Sequence, residues 1–153
     1  MPIVLLGLAV VIGVFLVLPD PGAGPPRLSV TAAAASPGRI GDMVSVYVVV
    51  ANAGGPDTVV SASSDAGAAV TLHATAAAED GSFMVDLDRL KVPARGTLTL
   101  APGGRHLMLH HLFAPLDPGD VIAVTIVFER SGPVVVQVPV RSFTDLATFG
   151  TPA

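Results

Sequence analysis

From Arg27 onward the apolar residues of this chain recur at every second position, and that period limits its fold more than any other feature. Val44, Val46, Val48 and Val50 share one parity, Ile122, Val124, Ile126 and Phe128 share another, and Val134, Val136, Val138 and Val140 form a third run. Side chains two apart fall on one face of an extended chain, so each run predicts a strand with one face in a core and the other toward solvent. Turn chemistry separates the runs at residues 52–55, 80–81, 102–104, 117–119 and 131–133, where Asn, Asp, Gly and Pro collect. Residues 67–80 are rich in alanine and could support a helix on propensity alone. The alternation of Val70, Leu72 and Ala74 with Thr71, His73 and Thr75 favours a strand there too. The expected class is all-β, a sandwich or barrel of about seven to nine short strands.

Ahead of this body, Ile3 to Leu18 is an apolar run broken only by glycines, followed by a Gly/Pro-rich stretch to residue 26. Its sixteen positions span about 24 Å as a helix, short of the roughly 30 Å hydrocarbon core, which suits a signal-peptide segment. No Lys or Arg precedes the run, and a cut after Gly22 or Gly24 would put or leave a proline near the new terminus, so an uncleaved anchor helix is the other reading. Residues 1–26 are thus expected to be a signal peptide or membrane anchor with its linker, 27–141 the β domain, and 142–153 a tail. The body is expected outside the cytoplasm, periplasmic or extracytoplasmic, touching membrane only through residues 3–18.

Several function classes drop out. With no cysteine in 153 residues there is no disulfide framework, zinc-thiolate site or cysteine nucleophile. A net charge of -4 is the wrong sign for a nucleic-acid surface. No G-x-S-x-G and no glycine-rich loop opening a helix is present, so an enzyme is not expected.

The residues with unspent chemistry are methionines and histidines on the wrong parity. In residues 82–88 the apolar parity is Phe83, Val85 and Leu87, which leaves Met84 with Ser82, Asp86 and Asp88. In residues 105–112 the apolar parity is Leu107 and Leu109, which leaves His106, Met108 and His110 together on the other face. His73, between Thr71 and Thr75, follows the same rule. Methionine is ordinarily a core gap-filler; two of them on polar faces, each able to stand beside a histidine, ask for a ligand. Thioether sulfur and neutral imidazole suit a soft monovalent ion, and Cu(I) is the biologically available one. Asp86 and Asp88 alone read as a solvated edge, too few oxygens for calcium or magnesium.

The spacing His73, ten intervening residues, Met84, twenty-one intervening residues, then His106-x-Met108 resembles the copper-binding pattern of the PCu(A)C family of exported copper chaperones. The text around it is similar to the family as well: YVVVAN with Tyr47 and Asn52, VTLHAT at 70–75, LAPGGRHLML at 100–109 and PLDPGDVIAVTIVFERSG at 115–132. The resemblance covers about residues 27–140. It implies a cupredoxin-like β-sandwich, a surface copper site of His73, Met84, His106 and Met108 holding mainly Cu(I), and delivery to the copper subunit of cytochrome c oxidase or to an assembly factor. Two positions depart from the pattern: Ala74 replaces the acidic residue that often follows the first histidine, and His110-His111 replaces a methionine-glycine pair. His110 shares the parity of His106 and Met108 and is a candidate extra imidazole; His111 has the opposite parity. Competing expectations are a metal-free β-sandwich adhesion or assembly module, and a copper storage or resistance protein using the same site.

Overall fold

The computed structural model describes residues 24–151, and among them the alternating segments form ten strands and one short helix. The strands are β1 (Leu28–Ala35), β2 (Val44–Asn52), β3 (Asp57–Ser64), β4 (Gly67–Ala78), β5 (Gly81–Leu87), β6 (Leu90–Val92), β7 (Gly96–Leu100), β8 (Arg105–Leu112), β9 (Val121–Phe128) and β10 (Gly132–Pro139), followed by α1 (Phe143–Leu146). The count exceeds the expected seven to nine because β6 and β7, of three and five residues, are too short for a period-two pattern to announce them. The alanine-rich stretch is strand β4, as its alternation predicts. The apolar segment 3–18 lies outside the described residues; among those described, no helix is long and apolar enough to cross a membrane.

The main path of the sheet runs β1-β2-β8-β4-β3-β9-β10, with β5 added to β4, β6 to β3 and β7 to β2. A parallel bridge from Ala35 to Val140 brings its two ends together. The result is a nearly closed, cupredoxin-like all-β barrel. Its interior is filled by residues of the predicted runs, the four valines of β2, Leu107 and Leu109 of β8, Ile122, Val124, Ile126 and Phe128 of β9, and Val136, Val138 and Val140, joined by Leu98 and Leu100 of β7. Burying each such side chain is worth about 1.5–3 kcal/mol before entropy is counted.

Two buried polar residues hold one end of the barrel. Asn52 accepts at Oδ1 from the N–H groups of Arg27 and Gly54, and its Nδ2 donates to the carbonyls of Gly55 and Pro93, so every polar atom of the amide is used. Asp57 accepts the N–H groups of Thr58, Arg130 and Ser131 and the hydroxyl of Ser131, which ties β3 to the β9–β10 turn. Gly54 lies directly under the backbone of residues 25–27, where any Cβ would collide with the Pro25 carbonyl. A side chain there would push the incoming chain off the barrel.

Residues 142–151 pack onto the barrel. Ser142 caps α1 by accepting the Asp145 N–H, and Leu146 is buried.

Candidate metal centre

The site is built where β4 changes partners. Its first half pairs with β3 at Val70; from Leu72 to Ala78 that edge is taken by β5, while the opposite edge is on β8 from Gly67 to Ala74. The second half of β4 and all of β5 therefore extend as a hairpin beyond the closed part of the barrel. His73 sits near the root of this hairpin, with β8 on one side and β5 on the other.

Register then gathers the donors. His73 is directly opposite His106 on β8 and Asp86 on β5; Thr71 is opposite Met108, and Thr75 is opposite Met84. Residues directly opposite in a ladder share a face, and neighbours one step diagonal lie about 7–8 Å apart at Cα, within reach of long side chains. His73, Met84, His106 and Met108 thus share one face of the sheet, with His73 at the centre of the group. The His73 and His106 rings are stacked with centroids 5.8 Å apart and planes 14° from parallel.

The exposure of this face differs from the expectation. His73, His106 and Met108 are buried, at 8%, 6% and 7% exposure, whereas Met84 is 54% exposed. Parity correctly separates Met108 from the interior, since it is not one of the residues of the contiguous apolar core. It does not say what covers the other face. Here Ser45 of β2 stands opposite Met108. Tyr47 meets His106 edge-on at 6.4 Å, and Phe149 from the C-terminal segment packs on Tyr47 at 5.9 Å. The open face expected for these residues is therefore corrected to a largely covered one, from which only Met84 of the four stands exposed.

A second correction concerns β5. Phe83 and Val85, expected to face the core, are exposed, Phe83 to 53%. Among the described residues β5 pairs only with β4; its Leu87 reaches the core, while Phe83 and Val85, further out on the hairpin, do not.

The imidazole tautomers follow from their partners. His106 Nδ1 lies 3.1 Å from the Gly104 carbonyl, which can only accept, so Nδ1 carries the hydrogen and Nε2 keeps its lone pair. Asp86 Oδ1 stands 3.1 Å from His73 Nδ1 but out of line for a hydrogen bond, so that buried nitrogen has no hydrogen-bond partner. The carboxylate's charge favours a proton there and leaves Nε2 of His73 as the basic nitrogen, which receives the Thr71 hydroxyl at 2.6 Å. Both rings so present Nε2 while Nδ1 is turned to an oxygen, the arrangement that orients metal-binding histidines. Burial pushes the His73 pKa below its ordinary value; the charge of Asp86 opposes this, and His106 and His110 add to it. His73 is accordingly neutral at pH 7.

His110 also reaches this face: its Nε2 is 2.7 Å from the Thr71 hydroxyl oxygen and its ring is 6.2 Å from that of His73. His111 is exposed, at a left-handed φ of 51°. Among the described residues no three His, Asp or Glu side chains converge closely enough to hold a metal ion by themselves. In this arrangement a metal on this face would need the thioethers. Sequence reasoning missed Thr71 as a contact although it shares the parity of His73. It read Asp86 as a solvated edge, and Gly104 and Phe149 leave no periodic signal at all.

A cupredoxin-like barrel carrying histidines and methionines on one outer face defines a PCuAC-type domain, and the similar solved structures are of that type. The chain is similar to the copper-bound PCuAC domain from PmoF2, with 23% identity and a TM-score of 0.64 over 75% of this chain and 92% of that one. It is similar to the apo PCuAC domain from PmoF1, with 25% identity and a TM-score of 0.65 over 75% and 93%. It is also similar to the Cu(I) form of DR1885 from Deinococcus radiodurans, with 28% identity and a TM-score of 0.54 over 73% and 78%. The particular family is the LpqE-like lipoproteins: the chain belongs to it, its residues 28–140 matching the family model. A relative, "Putative lipoprotein Lxx21020" of Leifsonia xyli subsp. xyli, is 38% identical over 104 residues, 67% of this chain and 63% of that protein.

Proposed function

We propose that this protein is an extracytoplasmic copper carrier that holds Cu(I) with His73, Met84, His106 and Met108 and passes it to the copper centre of cytochrome c oxidase, directly or through an assembly factor. The observation that carries the reading is the register, which sets His73 opposite His106 and one diagonal step from each methionine. Support for copper comes from the chemistry of the donors, two thioethers and two imidazoles, and from the similarity to copper-bound PCuAC domains. The lipoprotein-type family supports export with membrane attachment. In this reading residues 3–18 serve export or membrane attachment, and residues 27–141 form the copper-binding domain.

The geometry suits a carrier rather than a catalyst. All four donors are neutral, so Cu(I) keeps its charge and is held without the grip of a thiolate. Three donors are buried, and the fourth, Met84, stands half-exposed on an edge strand. A partner's sulfur or nitrogen replaces Met84 first, and the remaining ligands exchange in turn. The exposed Phe83 and Val85 beside it offer apolar surface to the approaching partner.

Anaerobic competition of the chain with a chromophoric Cu(I) chelator tests the reading. One tight equivalent, lost when Met84 and Met108 are both changed to leucine, is expected; no Cu(I) binding by the unaltered chain refutes it and favours a metal-free module. Loss of assembled oxidase in a deletion strain separates delivery from storage.

A further inference from the structure

The C-terminal segment is bonded to itself rather than to the barrel. The Arg141 N–H donates to the Ala35 carbonyl, but beyond it the backbone hydrogen bonds run within the segment: Leu146 to Ser142, Ala147 to Phe143, Phe149 to Leu146 and Thr151 to Thr148. Side-chain packing holds residues 142–151 down. Leu146 is buried, Phe149 lies on Tyr47 with ring centroids 5.9 Å apart, and Gly150 comes so close to β7 that a Cβ there would stand 3.1 Å from that of Ala101. Between these contacts the packing is open, with a cavity of about 490 Å³ lined by Ala32–Ala34 of β1 and by Leu146, Thr148 and Phe149 of the segment. A segment with few apolar anchors and its own hydrogen bonds can lift at low cost, because little burial is lost and no backbone group is orphaned.

We propose that residues 142–151 are a hinged cover, rooted at Arg141, that sets how fast the His106 side of the donor face is reached. Phe149 acts through Tyr47. It lies on the tyrosine ring, and that ring meets His106 edge-on at 6.4 Å. The burial of His106 therefore depends on a side chain from the far end of the chain, and Phe149 is a positioning residue, not a donor. When the cover lifts, Tyr47 loses the ring that backs it and is free to turn away from His106. Met84 stands exposed with the cover closed. The consequence for transfer rests on the copper-carrier reading: exchange at Met84 is ungated, whereas exchange at His106 waits for the cover. A gate slows entry and exit alike, so it changes rates and leaves equilibrium affinity in place.

The test uses the full chain and two variants that loosen the cover by different means. Phe149→Ala removes the contact with Tyr47, and Gly150→Val forces a branched side chain onto a left-handed φ of 74° and against Ala101. Without copper, acylation of each neutral imidazole by diethyl pyrocarbonate is followed by mass spectrometry, with the exposed His111 as internal reference. In the unaltered chain His106 should react about tenfold or more slower than His111, and in both variants it should gain about tenfold. With copper, anaerobic transfer of Cu(I) to a chromophoric chelator should quicken by a similar factor while equilibrium affinity moves by less than about threefold. His106 reacting as fast as His111 in the unaltered chain, a reactivity unchanged in both variants, or a rate gain matched by an equal loss of affinity overturns the proposal. Failure of the carrier reading is distinguishable, because the acylation needs no metal: a chain that binds no Cu(I), but whose His106 is unmasked in both variants, refutes the carrier and keeps the cover.

Discussion

His106 lies directly across the β4–β8 ladder from His73, its ring stacked on its partner's at 5.8 Å. The two histidines are 33 residues apart in sequence, and their side of the sheet is decided by strand parity and register together. A slip of one residue in β8 would turn His106 into the barrel and bring Leu107 out. The stacked pair is therefore a direct readout of register, and the four consequences below all depend on where register puts a side chain.

Met84 and Met108 should differ in what their loss does to folding. Met108→Leu keeps the buried volume and should cost less than about 1.5 kcal/mol; Met84→Leu, on an exposed strand, should stay within about 0.5 kcal/mol. Each should weaken Cu(I) binding by about tenfold or more. Denaturant melts beside chelator competition measure both, and a folded double variant with undiminished Cu(I) affinity contradicts the assignment.

The pH dependence has a definite direction. Burial foremost lowers the His73 pKa from its ordinary 6.5. Below that value the unfolded chain takes up a proton that the folded chain still refuses, so the fold should lose stability as pH falls under 6.5, levelling off once the folded His73 protonates. Cu(I) affinity should hold near pH 7 and fall at lower pH, where protons compete with copper for His73. Thermal melts and Cu(I) competition between pH 7.5 and about 5 measure the two effects; an affinity flat over that span counts against imidazole ligation.

Asp57 should govern stability without touching copper. Burial alone would raise its pKa, but the Ser131 hydroxyl and the N–H groups of Arg130, Thr58 and Ser131 outweigh it and hold the carboxyl below 3.8. Its contribution is present above that value and is lost as pH falls through the lowered folded pKa. Asp57→Ala leaves those donors unpaired and should cost about 2–4 kcal/mol, with Cu(I) affinity of the folded fraction unchanged. A melt unaltered by the substitution would show that the tie between β3 and the β9–β10 turn carries no weight.

Phe83 discriminates the two readings of β5. As a core residue, Phe83→Ser would cost about 3–5 kcal/mol or more. On the overhanging hairpin it should cost less than about 0.5 kcal/mol. A urea titration of the variant decides between them, and a large loss would mean that β5 packs against something other than β4.

The strands were legible wherever a period of two ran for six residues or more. β2, β9 and β10 follow their patterns, and the valines and isoleucines predicted inside on them are in the core except Val134, which is partly buried against it. β6 and β7 were not legible, because three to five residues are too short a sample of any period. Phe83 and Val85 misled for another reason: alternation reports two unlike faces, and on β5 only Leu87, at its root, reaches the core. The candidate donors were picked out by parity and spacing, but the link from Thr71 to His110 on the neighbouring strand and the packing of Phe149 on Tyr47 arise only from contacts between distant segments.

What the chain's order of residues determined is the class of fold and the side of each strand on which a residue falls, because both depend on local alternation. Only the tertiary structure decided that β4 passes from β3 to β5 at the root of the hairpin. It alone made His73 and Met108 buried while Met84 stayed open, and it alone let one threonine hydroxyl join two histidines. These depend on which strands become neighbours and how far each extends past the next, and pairings between distant segments are set by the packing of the whole barrel, not by any stretch of it.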